Sequence, residues 1–129
     1  MHWTTSYIGA RYERGAQGPT AWDCWSFARW VQKAHFGRDV PFQPTPASLG
    51  SIAKAMPAWA EEFGWRPTEK PTDGDAVFLS ILKHPTHVGI WVADLKSVLH
   101  CPEGGSMLHD AFHLKAAGWR VRGYFAPVA

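Results

Sequence analysis

The chain has 129 residues, 46% of them hydrophobic, with 13 Lys+Arg against 11 Asp+Glu and a formal charge of +2. That is one domain of ordinary size, residues 1–129, with enough apolar material to fold without staples. Two cysteines exclude a disulfide scaffold, and the weak charge gives no basic patch for nucleic acid. No apolar run reaches 18 residues, so no membrane-spanning helix is expected, and the start Met-His-Trp-Thr-Thr-Ser has no Sec-type signal pattern.

The first twenty residues are punctuated by Gly9, Gly15, Gly18 and Pro19, leaving room for a short helix over Thr4–Ile8. A longer helix is predicted over residues 23–36. Thr20 or Asp23 can cap it; Cys24, Phe27, Ala28, Val31 and Ala34 form its apolar stripe, and Gly37 stops it. Prolines keep residues 38–46 extended. A second helical segment is predicted from Ala47 to Phe63, broken at Pro57, and residues 66–74 read as a loop. Strands follow at Ala76–Leu82, His87–Ala93, Ser97–Cys101, Met107–Phe112 and Arg120–Phe125, with a turn over Lys83–Thr86. The short gaps between strands imply antiparallel hairpins, and helices first with strands afterwards read as α+β.

Among the candidates for chemistry, Cys24 comes first. It lies in the first turn of the strongest helix, where backbone N–H groups and the helix dipole favour a thiolate. The plain alternative is a buried structural thiol. His87 opens a strand in His-Val-Gly-Ile-Trp-Val, with Gly89 clearing space on the same face. His100 ends the next strand, and a short connection can bring both imidazoles to one face. Cys24, His87 and His100 would then supply nucleophile, base and orienter. Five of the seven histidines (His84, His87, His100, His109, His113) share one stretch, and their spacing is also that of metal ligands. No CxxC or HExxH accompanies them, so no metal and no cofactor is expected. Asp75 reads as a turn residue and Cys101 as core. Of the eight tryptophans, Trp22 is the one expected to line a cleft.

The segments Ile8-Gly9-Ala10-Arg11-Tyr12, Asp23-Cys24-Trp25-Ser26-Phe27, Gly74-Asp75-Ala76-Val77-Phe78-Leu79, His87-Val88-Gly89-Ile90-Trp91 and Val98-Leu99-His100 occur in this order. Together they resemble the motifs of the NlpC/P60 cysteine peptidases and span nearly the whole chain. The resemblance implies a papain-like NlpC/P60 fold, with N-terminal helices packed on a five- to six-stranded antiparallel sheet. It implies hydrolysis of an amide bond in bacterial peptidoglycan stem peptides, of the γ-D-glutamyl–diamino-acid type. Cys24 would be the nucleophile, His87 the base and His100 its orienter. Tyr12 would lie near the oxyanion site, Asp23 would help recognise a free amine, and Trp25 and Ser26 would border the substrate. Arg14 and Trp25 depart from the common pattern, which bears on substrate choice. Asp-Cys-Trp in a stand-alone domain looks most like the phage or prophage tail-associated branch. The partners expected there are peptidoglycan peptide and tail or delivery-machine proteins, with no nucleic acid or membrane. The expected course is synthesis in the cytoplasm without a Sec signal, then action at the cell wall or on a virion. The competing expectation is a structural tail or assembly protein of the same fold without activity.

Overall fold

Asp23 starts the helix on which the site is built. The computed structural model describes residues 1–40, 64–81 and 87–127. Within them α1 spans Cys24–Phe36. Asp23 is its N-cap, accepting from the Ser26 N–H at 2.7 Å, while Ser26 Oγ accepts from the Asp23 N–H at 3.0 Å. This reciprocal box satisfies donors that a helix start leaves without intrahelical partners. Gly37 closes the helix in the left-handed region, at φ 67°. Ala34, expected on the buried stripe, is exposed, whereas Gln32 is buried. The Gln32 amide donates to Gly74 O at 2.7 Å, so its burial leaves that donor satisfied and ties α1 to the loop before the sheet.

Among the described residues six strands form one antiparallel sheet: β1 (Trp65–Thr68), β2 (Ala76–Ser80), β3 (His87–Val92), β4 (Ser97–His100), β5 (Met107–Asp110) and β6 (Arg120–Pro127). Their spatial order is β1-β6-β2-β3-β4-β5. The strand β1 corrects the expected loop at 66–74. Pro67 argues against a central strand, but among the described residues β1 pairs only with β6 and lies at the edge, where a missing N–H is tolerated. A second correction falls after Asp110. The expected strand Met107–Phe112 ends there, and Asp110 caps a short helix, α2 (Ala111–Ala116), by accepting from the His113 N–H at 2.8 Å. At the other end of the chain the expected helix over Thr4–Ile8 is a 3-10 turn, Trp3–Ser6, held against α1 by Trp3 stacking on His35 at 3.9 Å. The expected helix from Ala47 to Phe63 and the turn at Lys83–Thr86 lie outside the described residues.

The sheet separates two cores. On one face Phe27, Ala28 and Val31 of α1 pack against Phe78, Val88, Ile90, Val92, Leu99 and Cys101. On the other, Val77, Leu79 and Val98 pack with Leu114 of α2, bordered by Trp91, Trp119 and Tyr124. Period-2 alternation along β3 and β4 produces this division. It sends Cys101 into the α1 core, fully buried, as the sequence suggested.

Candidate active site

Register places the histidines. Gly89 faces His100, and Val98 faces both Trp91 and His109. His87 is therefore diagonal to His100 across the β3–β4 ladder, and His100 is diagonal to His109 across β4–β5, all on one face. The diagonals close into hydrogen bonds: His87 Nε2 to His100 Nδ1 at 2.8 Å, and His100 Nε2 to His109 Nδ1 at 3.0 Å. His100 is fully buried and His87 nearly so. The ring of Trp119 stacks over His87, with centroids 4.5 Å apart and planes 25° apart, and stands edge-on to His100. Gly89 makes the close approach possible. A Cβ there would lie 2.5 Å from Val98 Cγ1 and 3.1 Å from His100 Cβ. The neighbour that uses the space cleared by Gly89 is thus β4 within the sheet.

Cys24 stands at the start of α1, packed against the core on the other face of the sheet. Its sulfur receives hydrogen bonds from the backbone N–H groups of Val88, the residue after His87, and of Trp25. His87 Nε2 is engaged by His100, which leaves Nδ1 as its other ring nitrogen. The expectation of a ready-made thiolate is not met. Burial, reinforced by the Asp23 carboxylate, pushes the Cys24 thiol up to about 12, against the smaller effects of the Val88 and Trp25 donors. Burial likewise pushes His87 below its ordinary range, and burial followed by the neighbouring imidazoles lowers His100. Both shifts act toward the neutral forms, thiol and imidazole. Dehydration of the sulfur outweighs the helix start, although the Cys24 side chain as a whole is only half-buried.

The remaining expected site residues divide. Tyr12 is brought near: burial pushes its hydroxyl upward, and neighbouring Cys24 and Asp23 add to the shift. A backbone bridge joins it to Trp22, just before the helix. Asp23 is buried, with Oδ1 in the helix cap and Oδ2 3.5 Å from Gln17 Nε2. Ser26 is fully engaged in the cap, and its hydroxyl also donates to Ala16 O at 2.7 Å. Trp25 lines a narrow apolar crevice of about 30 Å³ with Phe78, Val88 and Phe125, next to the backbone that holds the sulfur. Trp22 does line a cleft, a cavity of about 230 Å³ shared with Gln17, Trp30 and Lys33, where it stacks on Trp30 at 4.5 Å. That cavity lies on the outer side of α1 and contains neither Cys24 nor a histidine. Asp75 sits in a turn, accepting from the Thr72 N–H at 2.7 Å.

Two residues at the site had no such role in the sequence reading. Trp119 carries no local signal, because its place over His87 depends on α2. His109 appeared only as half of a ligand-like pair with His113. In the fold the two separate: His109 binds His100, and His113 Nδ1 lies 2.7 Å from Asp110 Oδ1. Among the described residues no group of three or more His, Cys, Asp or Glu side chains is arranged to hold a metal ion. No helix among them is long and apolar enough to cross a membrane.

Comparison with known proteins was made on sequence and on fold. The profile of the NlpC/P60 family matches residues 9–121. No curated protein sequence matches the chain significantly. Among solved structures the chain is similar to the NlpC/p60 domain of the peptidoglycan hydrolase SagA, with a TM-score of 0.61 and 20% identity over 97% of this chain and 92% of that one. At that identity the likeness speaks for the α+β, papain-like fold.

Proposed function

The chain belongs to the NlpC/P60 family, and from that premise we propose that it is a peptidoglycan hydrolase whose nucleophile is Cys24. The observation that carries the reading is the sulfur held by the Val88 N–H beside His87, with His87 backed by His100 at 2.8 Å. The name of the SagA domain, a peptidoglycan hydrolase, supports the substrate class. Within that class we propose the amide bond between γ-D-glutamate and a diamino acid in the stem peptide, cut by an endopeptidase with a Cys24–His87–His100 triad.

The chemistry follows from a neutral resting pair. As the Cys24 sulfur attacks the amide carbonyl, His87 Nδ1 takes the thiol proton, and the S–C bond forms while the carbonyl oxygen becomes an oxyanion. Backbone N–H groups at the start of α1 face that oxygen, with Tyr12 beside them. The C–N bond then breaks, and His87 returns its proton to the leaving amine. A water, deprotonated by His87, attacks the thioester and releases a carboxylate and the free thiol. His100 holds the His87 ring so that Nδ1 faces the sulfur, and it stabilises the imidazolium that forms. No cofactor is needed at any step.

The reading is tested by incubating purified sacculi with the protein and identifying the released fragments by mass spectrometry. Released peptides that begin with a new diamino-acid amine are expected, with the new D-glutamate carboxyl left on the glycan-linked stub. Cleavage within the glycan chain, or release of nothing at all from a folded protein, contradicts it; the latter outcome supports an assembly protein with this fold and no activity.

A further inference from the structure

Resting on the triad just described, we propose that His109 is a third imidazole of the site, a positioning residue that sets the proton pattern of His100 and through it that of His87. The argument is one of donors and acceptors. For His87 Nδ1 to accept the thiol proton it must be bare, so the neutral His87 ring carries its hydrogen on Nε2. That Nε2–H donates to His100 Nδ1 at 2.8 Å, so His100 Nδ1 is bare as well and its hydrogen sits on Nε2. His100 Nε2 points at His109 Nδ1 at 3.0 Å, and His109 is the acceptor that matches it. One direction of donation runs through all three rings, and His109 fixes it at the far end.

Without that acceptor, His100 has no reason to keep its hydrogen on Nε2. The other tautomer places a hydrogen on His100 Nδ1, facing His87 Nε2. Two donors cannot share one bond, so His87 would then move its own hydrogen to Nδ1. That is the nitrogen that must be bare to activate Cys24, and a ring in the wrong tautomer cannot act as the base. His100 cannot escape by turning to water, because it is fully buried.

His109 is suited to this place. It is half-buried on β5, the strand at the edge of the sheet, so its outer edge can exchange protons with solvent while Nδ1 stays directed inward. The titratable groups around it are His100 on β4, Asp110 beside it and His113 on α2. When His87 becomes an imidazolium, its bond to His100 becomes charge-assisted and polarises the bond from His100 to His109, which places part of the stabilisation at His109.

The test combines ring-nitrogen NMR with kinetics on the whole chain. In the wild-type protein His87 and His100 are expected as Nε2–H tautomers; finding His100 with its hydrogen on Nδ1 overturns the proposal without any variant. His109→Ala is expected to mix the His100 tautomers and to lower kcat about tenfold, the worth of one hydrogen bond, with KM within twofold. His109→Asn, whose Oδ1 can accept where Nδ1 did, is expected to restore the Nε2–H form and to bring kcat within about threefold of wild type. Unmoved tautomers in His109→Ala, or no difference between Ala and Asn, would rule the role out. The NMR arm needs no substrate, so failure of the peptidoglycan reading and failure of the His109 proposal are separate results.

Discussion

Cys24 and His87 show why position in a helix is an incomplete guide to reactivity. The dipole and two backbone donors favour the thiolate, yet burial and the Asp23 charge carry the thiol to about 12. Substituting Asp23→Asn keeps a side-chain oxygen for the cap and removes the charge. The Cys24 thiol should therefore fall, and alkylation by iodoacetamide at pH 8 should be several-fold faster than in wild type; an unchanged or slower rate would show that the carboxylate does not act on the sulfur. Trp119 works on the other partner. Its ring covers His87, and that burial keeps the imidazole neutral. Trp119→Ala admits water and raises the His87 pKa, so the acid limb of kcat/KM should move to higher pH, with Trp119→Phe retaining most of the original profile. A pH–rate series on the three proteins measures this directly.

At the scale of elements, β3 and β4 carry the design. Gly89→Ala would push a methyl into Val98 and His100, both on a packed face. The expected loss is about 1–3 kcal/mol of stability from overpacking, with activity falling because His100 is displaced; denaturant unfolding and a kinetic assay check the two separately. Much of this level was legible in the sequence. Asp23 and Gly37 mark both ends of α1, and the apolar runs at Ala76 and His87 mark the central strands, because caps and alternation are local signals. The strand at Trp65–Thr68 was not legible, since Pro67 is acceptable only once β1 is known to be an edge. Nor was α2: Asp110 is a clear cap in hindsight, but Met107–Phe112 alternates well enough to be read as strand throughout. Cys24, His87 and His100 could be picked out by residue type and order. His109 could not, because its place in the series depends on the register of β5 against β4, which no local pattern encodes.

Two imidazoles and two thiols are shifted toward their neutral forms, and these shifts set how stability depends on pH. His87 and His100 have folded pKa values below their unfolded values near 6.5. Between those limits the unfolded chain binds more protons, so stability falls as pH drops below about 6.5, by about 1.4 kcal/mol per pH unit for each histidine held neutral. Cys24 and Cys101 are shifted the other way, from 9.0 to about 12 and about 11. Their contribution is complete below pH 9 and is lost as pH rises above it. These four groups therefore predict a stability plateau between about pH 6.5 and 9, read by urea unfolding across the range; a maximum near pH 5 would contradict the burial of both imidazoles. In the two-core arrangement Cys24 and His87 belong to opposite faces of the sheet, and the proposed nucleophile and base would meet at the mouth of β3. That meeting is most directly tested by digesting a defined stem peptide with wild type and with Cys24→Ala in water enriched in heavy oxygen. Wild type should cut one amide bond and leave one heavy oxygen in the new carboxylate, while Cys24→Ala, folded to the same Tm, should leave the peptide intact. Cleavage by Cys24→Ala at the wild-type rate would show that the sulfur is not the nucleophile.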